Sequence, residues 1–371
     1  MNISETDKKK VLLTVNNNRL SGIEKFTFLL AEYLNKDKYS VRVGVPTYGP
    51  LCELFEKNEV EYFIFNNGRN ESHSIKGICN LFNHIRKYKY DIVHAQAGIA
   101  PCMIAKFLGV KLILEHKHGL DFTDEQIKNM NIVKLYYERT KKYFTDYTLT
   151  GCAKDKLVLQ NKFKYRENTV ITVYNGLENT NEIFKKVNGN KFIIGTIGRL
   201  TFQKGQEYFI EMAKNLSDEN KNFEFHIYGE GENYESYNKL IKNYGIEEKV
   251  FLKGYTNNVS EIMNTFDLFV LTSRYEGIPY VILEAMRNSV PVITTDVGGI
   301  SEVIQNMYNG ILVEKENVKE LFKFVKLLSE DKNLCNELTV NAKKDFEEKY
   351  TIEKTIDFIE KIYESKEKKI L

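Results

Sequence analysis

Cysteine is scarce in this chain: Cys52, Cys79, Cys102, Cys152 and Cys335 are scattered through 371 residues and odd in number. That pattern excludes a disulfide frame and a zinc site of paired cysteines, and the five thiols read as reduced bystanders. Long apolar runs are absent as well, since nothing approaches the ~18–20 residues a membrane-spanning helix needs. The start, MNISETDKKKVLLTVNN, has no long apolar segment ahead of a small-residue cleavage site. No signal peptide is read, and the cytoplasm is the expected compartment. The dinucleotide fingerprint G-x-G-x-x-G is missing, which argues against a nicotinamide oxidoreductase or a plain dinucleotide-binding module. A strong overall charge is missing too, with a net charge of +2.

The composition that remains, 42% apolar and 28% charged, is that of an ordinary globular chain. Its length is too great for one core, so two domains of comparable size are expected. The near-neutral total hides an asymmetry. Up to residue 185 there are 28 Lys and Arg against 21 Asp and Glu; beyond it there are 25 against 30. A basic first half suits an anionic partner such as a membrane surface or a phosphorylated acceptor, although a solvated face with incidental charge fits equally.

Strand-like runs recur along the first half at 10–15, 41–45, 61–65, 91–95, 111–116, 146–150 and 170–174. Amphipathic stretches lie between them, as in SGIEKFTFLLAEYLNK, where Phe26, Leu29, Leu30, Tyr33 and Leu34 share one face. After a polar segment at 178–191 that reads as a linker, the plan repeats with runs at 192–198, 223–229, 249–254, 268–272, 291–295 and 310–313. Strands alternating with helices imply parallel sheets. The expected fold class is α/β, with two doubly wound, Rossmann-like domains facing each other across a cleft. Their expected bounds are 1–180 and 190–350, and a lysine-rich final helix, 351–371, is expected to cross back to the first domain. Ligands of such sheets bind beyond the carboxyl ends of the strands.

Several strand ends carry residues suited to an anionic ligand. In GTIGRLTFQKG, Gly198 and Arg199 follow a strand, and Lys204 and Gly205 open a helix. Two cations and free helix amides at one turn suit a diphosphate, while two surface cations with stems lying on apolar surface remain the plainer reading. Gly229 and Gly231 form a weak G-x-G that an ordinary tight turn explains. In RYEGIPYVILEAM, Pro279 sits where a first helical residue is expected, Glu276 precedes the helix and Glu284 lies in its second turn. The amides of Tyr280 and Val281 are orphan donors at a positive helix end. Glu284 stands alone among apolar neighbours and needs a partner, either a ligand hydroxyl or a lysine or backbone group of the core. In TDVGG, residues 295–299, a glycine pair follows another strand and reads as flexible backbone at the same rim or as a plain turn. In the first half Gly22 opens a helix after the first strand. His94, His116 and His118 end two neighbouring strands. His116, His118 and Asp121 resemble part of a metal site, but further ligands at suitable spacing are lacking, so no metal is expected. Histidines there suit hydrogen bonding to a ligand or proton transfer, or a structural role.

Taken together, GTIGRLTFQKG, EGIPYVILEAM and DVGG-SEVI resemble the nucleotide-sugar-binding half of glycosyltransferase family 4, retaining enzymes of the GT-B fold. The resemblance implies a hexosyltransferase that moves a hexose or N-acetylhexosamine from a nucleoside-diphosphate sugar, with UDP-sugars favoured as donor. The acceptor it implies is lipid-linked or a polysaccharide, as in bacterial capsule or lipopolysaccharide assembly at the inner face of the cytoplasmic membrane. It implies no metal or other cofactor, and no nucleic acid is expected as a partner. Carried over by position, Arg199 and Lys204 hold the diphosphate with Gly198, Gly22 and the amides near Tyr280 and Val281. Glu284 takes the ribose hydroxyls, and Glu276, with Gly277 and Ile278, takes the sugar. Gly254 closes the strand near the base, and His118 stands beside the sugar's primary hydroxyl. His94 and His116 are expected on the acceptor side. The chain departs from the family in having Ser21 where a glycine is usual, Gly151 and Cys152 where a serine is common, and Glu115 with His116 where small or apolar residues are common. A nucleotide-sugar epimerase or a phosphorylase of the same fold is the alternative.

Overall fold

Short runs rich in Val, Ile and Leu make strands that are apolar on both faces, and such strands are stable only when helices cover the sheet on both sides. The computed structural model describes residues 8–66, 74–120, 122, 124–179, 191–218 and 222–368. Asp121 and residues 180–190 of the expected linker lie outside the described residues. The chain forms two compact units, Met1–Gly176 with Ile352–Leu371, and Leu177–Thr351.

In the first unit, β1 (Lys9–Thr14), β2 (Tyr39–Val45), β3 (Tyr62–Ile64), β4 (Ile92–Ala95), β5 (Leu112–Lys117), β6 (Tyr147–Thr150) and β7 (Val170–Thr172) form one parallel sheet. Its order is β3-β2-β1-β4-β5-β6-β7. In the second unit, β8 (Phe192–Ile197), β9 (Phe223–Tyr228), β10 (Val250–Gly254), β11 (Leu268–Leu271), β12 (Val292–Thr295) and β13 (Ile311–Val313) are likewise all parallel, in the order β10-β9-β8-β11-β12-β13. Each of the thirteen runs read from the sequence is a strand, with ends shifted by at most two residues. The direction of strand addition reverses between β1 and β4 and again between β8 and β11. At such a switch point the connections part to opposite faces of the sheet, leaving an opening beyond the carboxyl ends.

Leu12, Val93 and Ile113 pack against Leu81, Ile85 and Cys102 in the first core. In the second, Ile194, Phe225 and Leu268 meet Phe209, Ile210 and Ala213. The helix Gly22–Tyr33 buries Phe26, Leu29 and Leu30, but Tyr33, expected on that face, is 37% exposed; Thr27 and Glu24 are buried instead. The final helix, Ile352–Lys368, belongs to the first unit and buries Ile352, Ile356, Ile359 and Tyr363, one stripe at steps of three and four. Its Thr355 hydroxyl donates to the Tyr174 carbonyl at 3.1 Å, and its Glu360 accepts from the Asn35 amide at 2.9 Å. The segment is lysine-rich, yet its five lysines (354, 361, 366, 368, 369) are matched by Glu353, Asp357, Glu360, Glu364 and Glu367. It adds no positive field, so it gives no support to membrane attraction. Among the described residues, no helix is long and apolar enough to cross a membrane.

Candidate active site

The second unit gathers its polar groups at the β8/β11 switch point. β8 ends at Ile197 and runs into a loop, 198–205, ahead of the helix Gln206–Ser217. The loop is fixed from three sides. The Gln206 side chain donates to the Arg199 carbonyl at 2.9 Å, the Leu200 amide donates to the Glu230 carbonyl at 2.9 Å, and the Thr272 hydroxyl, just past β11, donates to the Gly205 carbonyl at 2.9 Å. Gly229, read as part of an ordinary turn, has φ +141, and a Cβ there would stand 1.9 Å from the Gly198 carbonyl oxygen. Its lack of a side chain lets the two strand-end loops touch. The Arg199 side chain is exposed and makes no hydrogen bond or ion pair among the described residues, whereas the Lys204 stem lies over Gly198.

Lys204 and Glu276, assigned separately to the phosphate and sugar ends of a ligand, form an ion pair with each other. The Lys204 ammonium donates to Glu276 Oε1 at 2.5 Å, and the two side chains are only 14% and 7% exposed. The Ser273 hydroxyl donates to the same oxygen at 2.7 Å, and the Gln203 amide reaches Oε2 at 3.5 Å. Gly298 explains why the neighbouring loop can close on the Glu276 backbone. It has φ +59, and a Cβ would sit 1.6 Å from the Glu276 carbonyl oxygen, so the TDVGG segment is a required close approach rather than loose backbone.

Arg274 carries a role that the sequence reading left unassigned. Its guanidinium donates to the Phe202 carbonyl at 2.7 Å, to Glu207 at 2.6 Å, to the Tyr208 hydroxyl at 2.7 Å and to Glu316 at 3.0 Å. It also stacks 4.0 Å above the Phe202 ring. One side chain thus ties the end of β11 to the loop bearing Arg199 and Lys204. The available signal was a cation two residues ahead of a strand-end glutamate; its partners, 66 to 72 residues earlier and 42 residues later, leave no local trace.

The helix Tyr280–Arg287 begins one residue later than expected: Pro279 is its N-cap, in extended backbone with φ −76 and ψ 135. The Ile282 amide is bonded to the Pro279 carbonyl at 3.1 Å, so Tyr280 and Val281 head the helix with their amides directed past its N-terminus. Glu284 is 3% exposed in the second turn. Burial, and the Glu284 charge nearby, hold the Tyr280 phenol well above its ordinary pKa, so it remains protonated. Gly277 accepts from the Gly299 amide at 3.2 Å, and Ile278 is buried. At the end of β10, Gly254 with φ +74 lines a groove of about 550 Å³ together with Glu230, Gly231, Tyr234, Leu252 and Lys253.

In the first unit, Gly22 is exposed at the head of its helix. Ser21, in place of the usual glycine, has φ −118 and ψ −176, extended backbone that any residue adopts, and its hydroxyl is bonded to the buried Glu24. His118 donates from Nε2 to Gln96 Oε1 at 3.0 Å in the amide orientation of the structure, leaving Nδ1 as the acceptor. His116 stacks on His118 with ring centroids 4.1 Å apart, and His94 stacks on His116 at 5.6 Å. His94 and His116 do not reach an acceptor, contrary to expectation. Both are fully buried, His94 bonded through Nδ1 to the Tyr363 hydroxyl at 2.8 Å under the final helix. Burial pushes the His94 pKa down to about 3 and that of His116 well below its ordinary value, so both rings are neutral at neutral pH. Their stacked planes do not converge on a point, and among the described residues no group of three or more His, Cys, Asp or Glu side chains could hold a metal ion. On the opposite face of β5, Glu115 is buried and paired with Lys117 at 3.0 Å.

Residues 178–345 match the family described as Glycosyl transferases group 1, and residues 20–180 match Glycosyltransferase Family 4. The chain is 26% identical over 366 residues to UDP-Gal:alpha-D-GlcNAc-diphosphoundecaprenol alpha-1,3-galactosyltransferase of Escherichia coli, covering 93% of this chain and 94% of that protein. It is 33% identical over 166 residues to poly(ribitol-phosphate) alpha-N-acetylglucosaminyltransferase of Staphylococcus aureus, 44% of this chain and 34% of that one. The crystal structure of Anabaena HepE in complex with UDP-glucose superposes with a TM-score of 0.81 at 19% identity, over 96% of this chain and 99% of that one.

Proposed function

We propose that this chain, which belongs to glycosyltransferase family 4 and is a glycosyltransferase of the GT-B fold, moves a hexose or N-acetylhexosamine from a UDP-sugar to a lipid-linked or polysaccharide acceptor, with retention of configuration. The observation that carries the reading is the buried Lys204–Glu276 pair beside the free guanidinium of Arg199 and the head of the helix Tyr280–Arg287. Breaking the bond between the anomeric carbon and the phosphate oxygen leaves negative charge on the diphosphate. Fixed cations and helix amides aimed there stabilise that charge where it develops. Arg199, unpaired, is available to one phosphate. The Lys204 ammonium has three protons, so it donates to Glu276 and to a phosphate oxygen together.

Glu276 accepts from the sugar hydroxyls on its other oxygen, with Gly277 and Ile278 beside the sugar. Glu284 accepts from the ribose, and the base lies in the groove at Leu252–Gly254. His118, neutral with Nδ1 as acceptor, takes a hydrogen bond from the sugar, and Gly22 offers backbone to the phosphates. The acceptor oxygen bonds to the anomeric carbon as the phosphate leaves, and the departing phosphate takes the acceptor proton. UDP-galactose and a diphosphoundecaprenol acceptor in the name of the Escherichia coli relative support this donor and acceptor class, and with it action at the cytoplasmic face of a membrane.

A thermal-shift screen of nucleotide sugars followed by hydrolysis and transfer assays tests the reading. A UDP-sugar is expected to raise Tm, Glu284→Ala to raise donor KM and Arg199→Ala to lower kcat. No shift with any nucleotide sugar, or an isomerised donor in the absence of acceptor, overturns it.

A further inference from the structure

Three helices of the first unit, Ile75–Tyr88, Ala100–Phe107 and Ile132–Lys141, lie in the connections β3 to β4, β4 to β5 and β5 to β6, the last of which also holds the short helix Asp124–Lys128. All three crossovers step the same way along a parallel sheet, and right-handed crossovers therefore place these helices side by side on one face. Their inner sides are already satisfied: Leu81 and Ile85 of the first helix share one core with Cys102, Ile104 and Ala105 of the second. Phe144, in the turn Lys142–Phe144 that ends the third, packs on the same core.

The outer sides are the unusual part. Ile75, Phe107 and Val133 are 82%, 80% and 76% exposed, and Tyr136, Tyr137 and Tyr143 each more than half. In the third helix, Ile132, Val133, Tyr136, Tyr137 and Thr140 fall on one side at helical spacing, so the side facing solvent is the uncharged one. Its acid, Glu138, points inward, buried and paired with Lys141 at 2.7 Å. Exposed large apolar side chains gathered on neighbouring helices mark a surface that meets a partner or a membrane.

Charge identifies the occupant. The three helices and the turn carry Lys76, Arg86, Lys87, Lys106, Lys134, Arg139, Lys141 and Lys142 against the single acid Glu138. Tyrosines and aliphatic side chains rimmed by lysine fit the headgroup zone of an anionic bilayer, where the rings enter the interface and the cations meet lipid phosphates. We propose that this three-helix face is the surface by which the protein sits on an anionic membrane. It rests on the reading of a membrane-linked acceptor, and the charge-balanced final helix takes no part in it. The helix Ile132–Lys141 lies in the connection that leaves β5 through His118, so the face belongs to the same connection as the residue proposed to meet the sugar.

The test is co-sedimentation of the full chain with phosphatidylglycerol–phosphatidylcholine vesicles at low salt. The wild type is expected to pellet, and less so at high salt. Val133→Ser/Tyr136→Ser/Tyr137→Ser is expected to weaken partitioning at least about tenfold by removing buried apolar area. Lys76→Glu/Lys106→Glu is expected to lower binding to anionic vesicles and to weaken its salt dependence. Donor hydrolysis and the melting profile are expected to stay unchanged in both variants, which separates this inference from the assignment of the reaction. Wild-type protein left in the supernatant, or variants that pellet like it, overturn the proposal. So does a lipid-free dimer in sedimentation velocity that the serine variant disperses, because the face is then a contact between copies of the chain.

Discussion

Replacing Lys204 by methionine removes the ammonium from a pair 2.5 Å apart whose side chains are 14% and 7% exposed. The Glu276 carboxylate is left with the Ser273 hydroxyl at 2.7 Å and the Gln203 amide at 3.5 Å, neither of them charged. Breaking one side of a buried pair costs about 3–5 kcal/mol, because the remaining charge has lost both water and partner. The residual exposure here points to the low end, about 3 kcal/mol. For a unit of this size each kcal/mol moves Tm by about 2–4 °C, so a fall of roughly 6–12 °C is expected. Adding Glu276→Gln removes the stranded charge while keeping an acceptor for Ser273. The double variant is therefore expected within about 1 kcal/mol of wild type. Calorimetry of the full chain, wild type against the two single variants and the double, measures the cycle. Turnover is expected to stay lost in the double variant, since the cation for the diphosphate is still missing. A Lys204→Met protein melting within about 2 °C of wild type, or a double variant as unstable as the sum of the singles, refutes the reasoning.

Arg274→Ala is expected to lower kcat at least about tenfold, with the donor KM also rising, because the loop bearing Arg199 and Lys204 loses its tie to β11. Arg274→Lys, which keeps charge but cannot satisfy four partners and a ring face, is expected to recover only part; full recovery by lysine would show that charge alone matters. The buried imidazoles set an acid limit. Their folded pKa values lie below 6.5, so the unfolded chain takes up protons that the folded chain refuses. Stability is therefore complete above the unfolded value and falls as pH drops below about 6.5, with His94, whose folded pKa is about 3, accounting for about 2 kcal/mol of the loss by pH 5. His116→Phe, which keeps the stacking shape, is expected to lose less stability than wild type between pH 7 and pH 5 in urea unfolding. Parallel pH profiles for the two proteins would exclude His116 as a source.

The sequence by itself determined the thirteen strands, the doubly wound character of both halves and the position of each strand end, because side-chain periodicity and turn residues act over a few neighbours. It also marked Glu276, Glu284, Arg199 and Lys204, since a carboxylate among apolar residues and cations at a glycine turn are anomalies visible locally. Strand order was decided only by the tertiary structure. Placing β8 beside β11 brings Lys204 to Glu276 across 72 residues, and Arg274 to the Phe202 carbonyl across the same distance. The same assembly closes Gly229 onto Gly198 and Gly298 onto Glu276, so glycines that read as plain turns are sites where a side chain cannot fit. It also buried His94 and His116, which look functional as strand-end histidines, His94 beneath the final helix and His116 against the rings of Phe26 and His118. Burial and pairing between distant segments depend on which elements pack together, and that is a property of the whole chain rather than of any window within it.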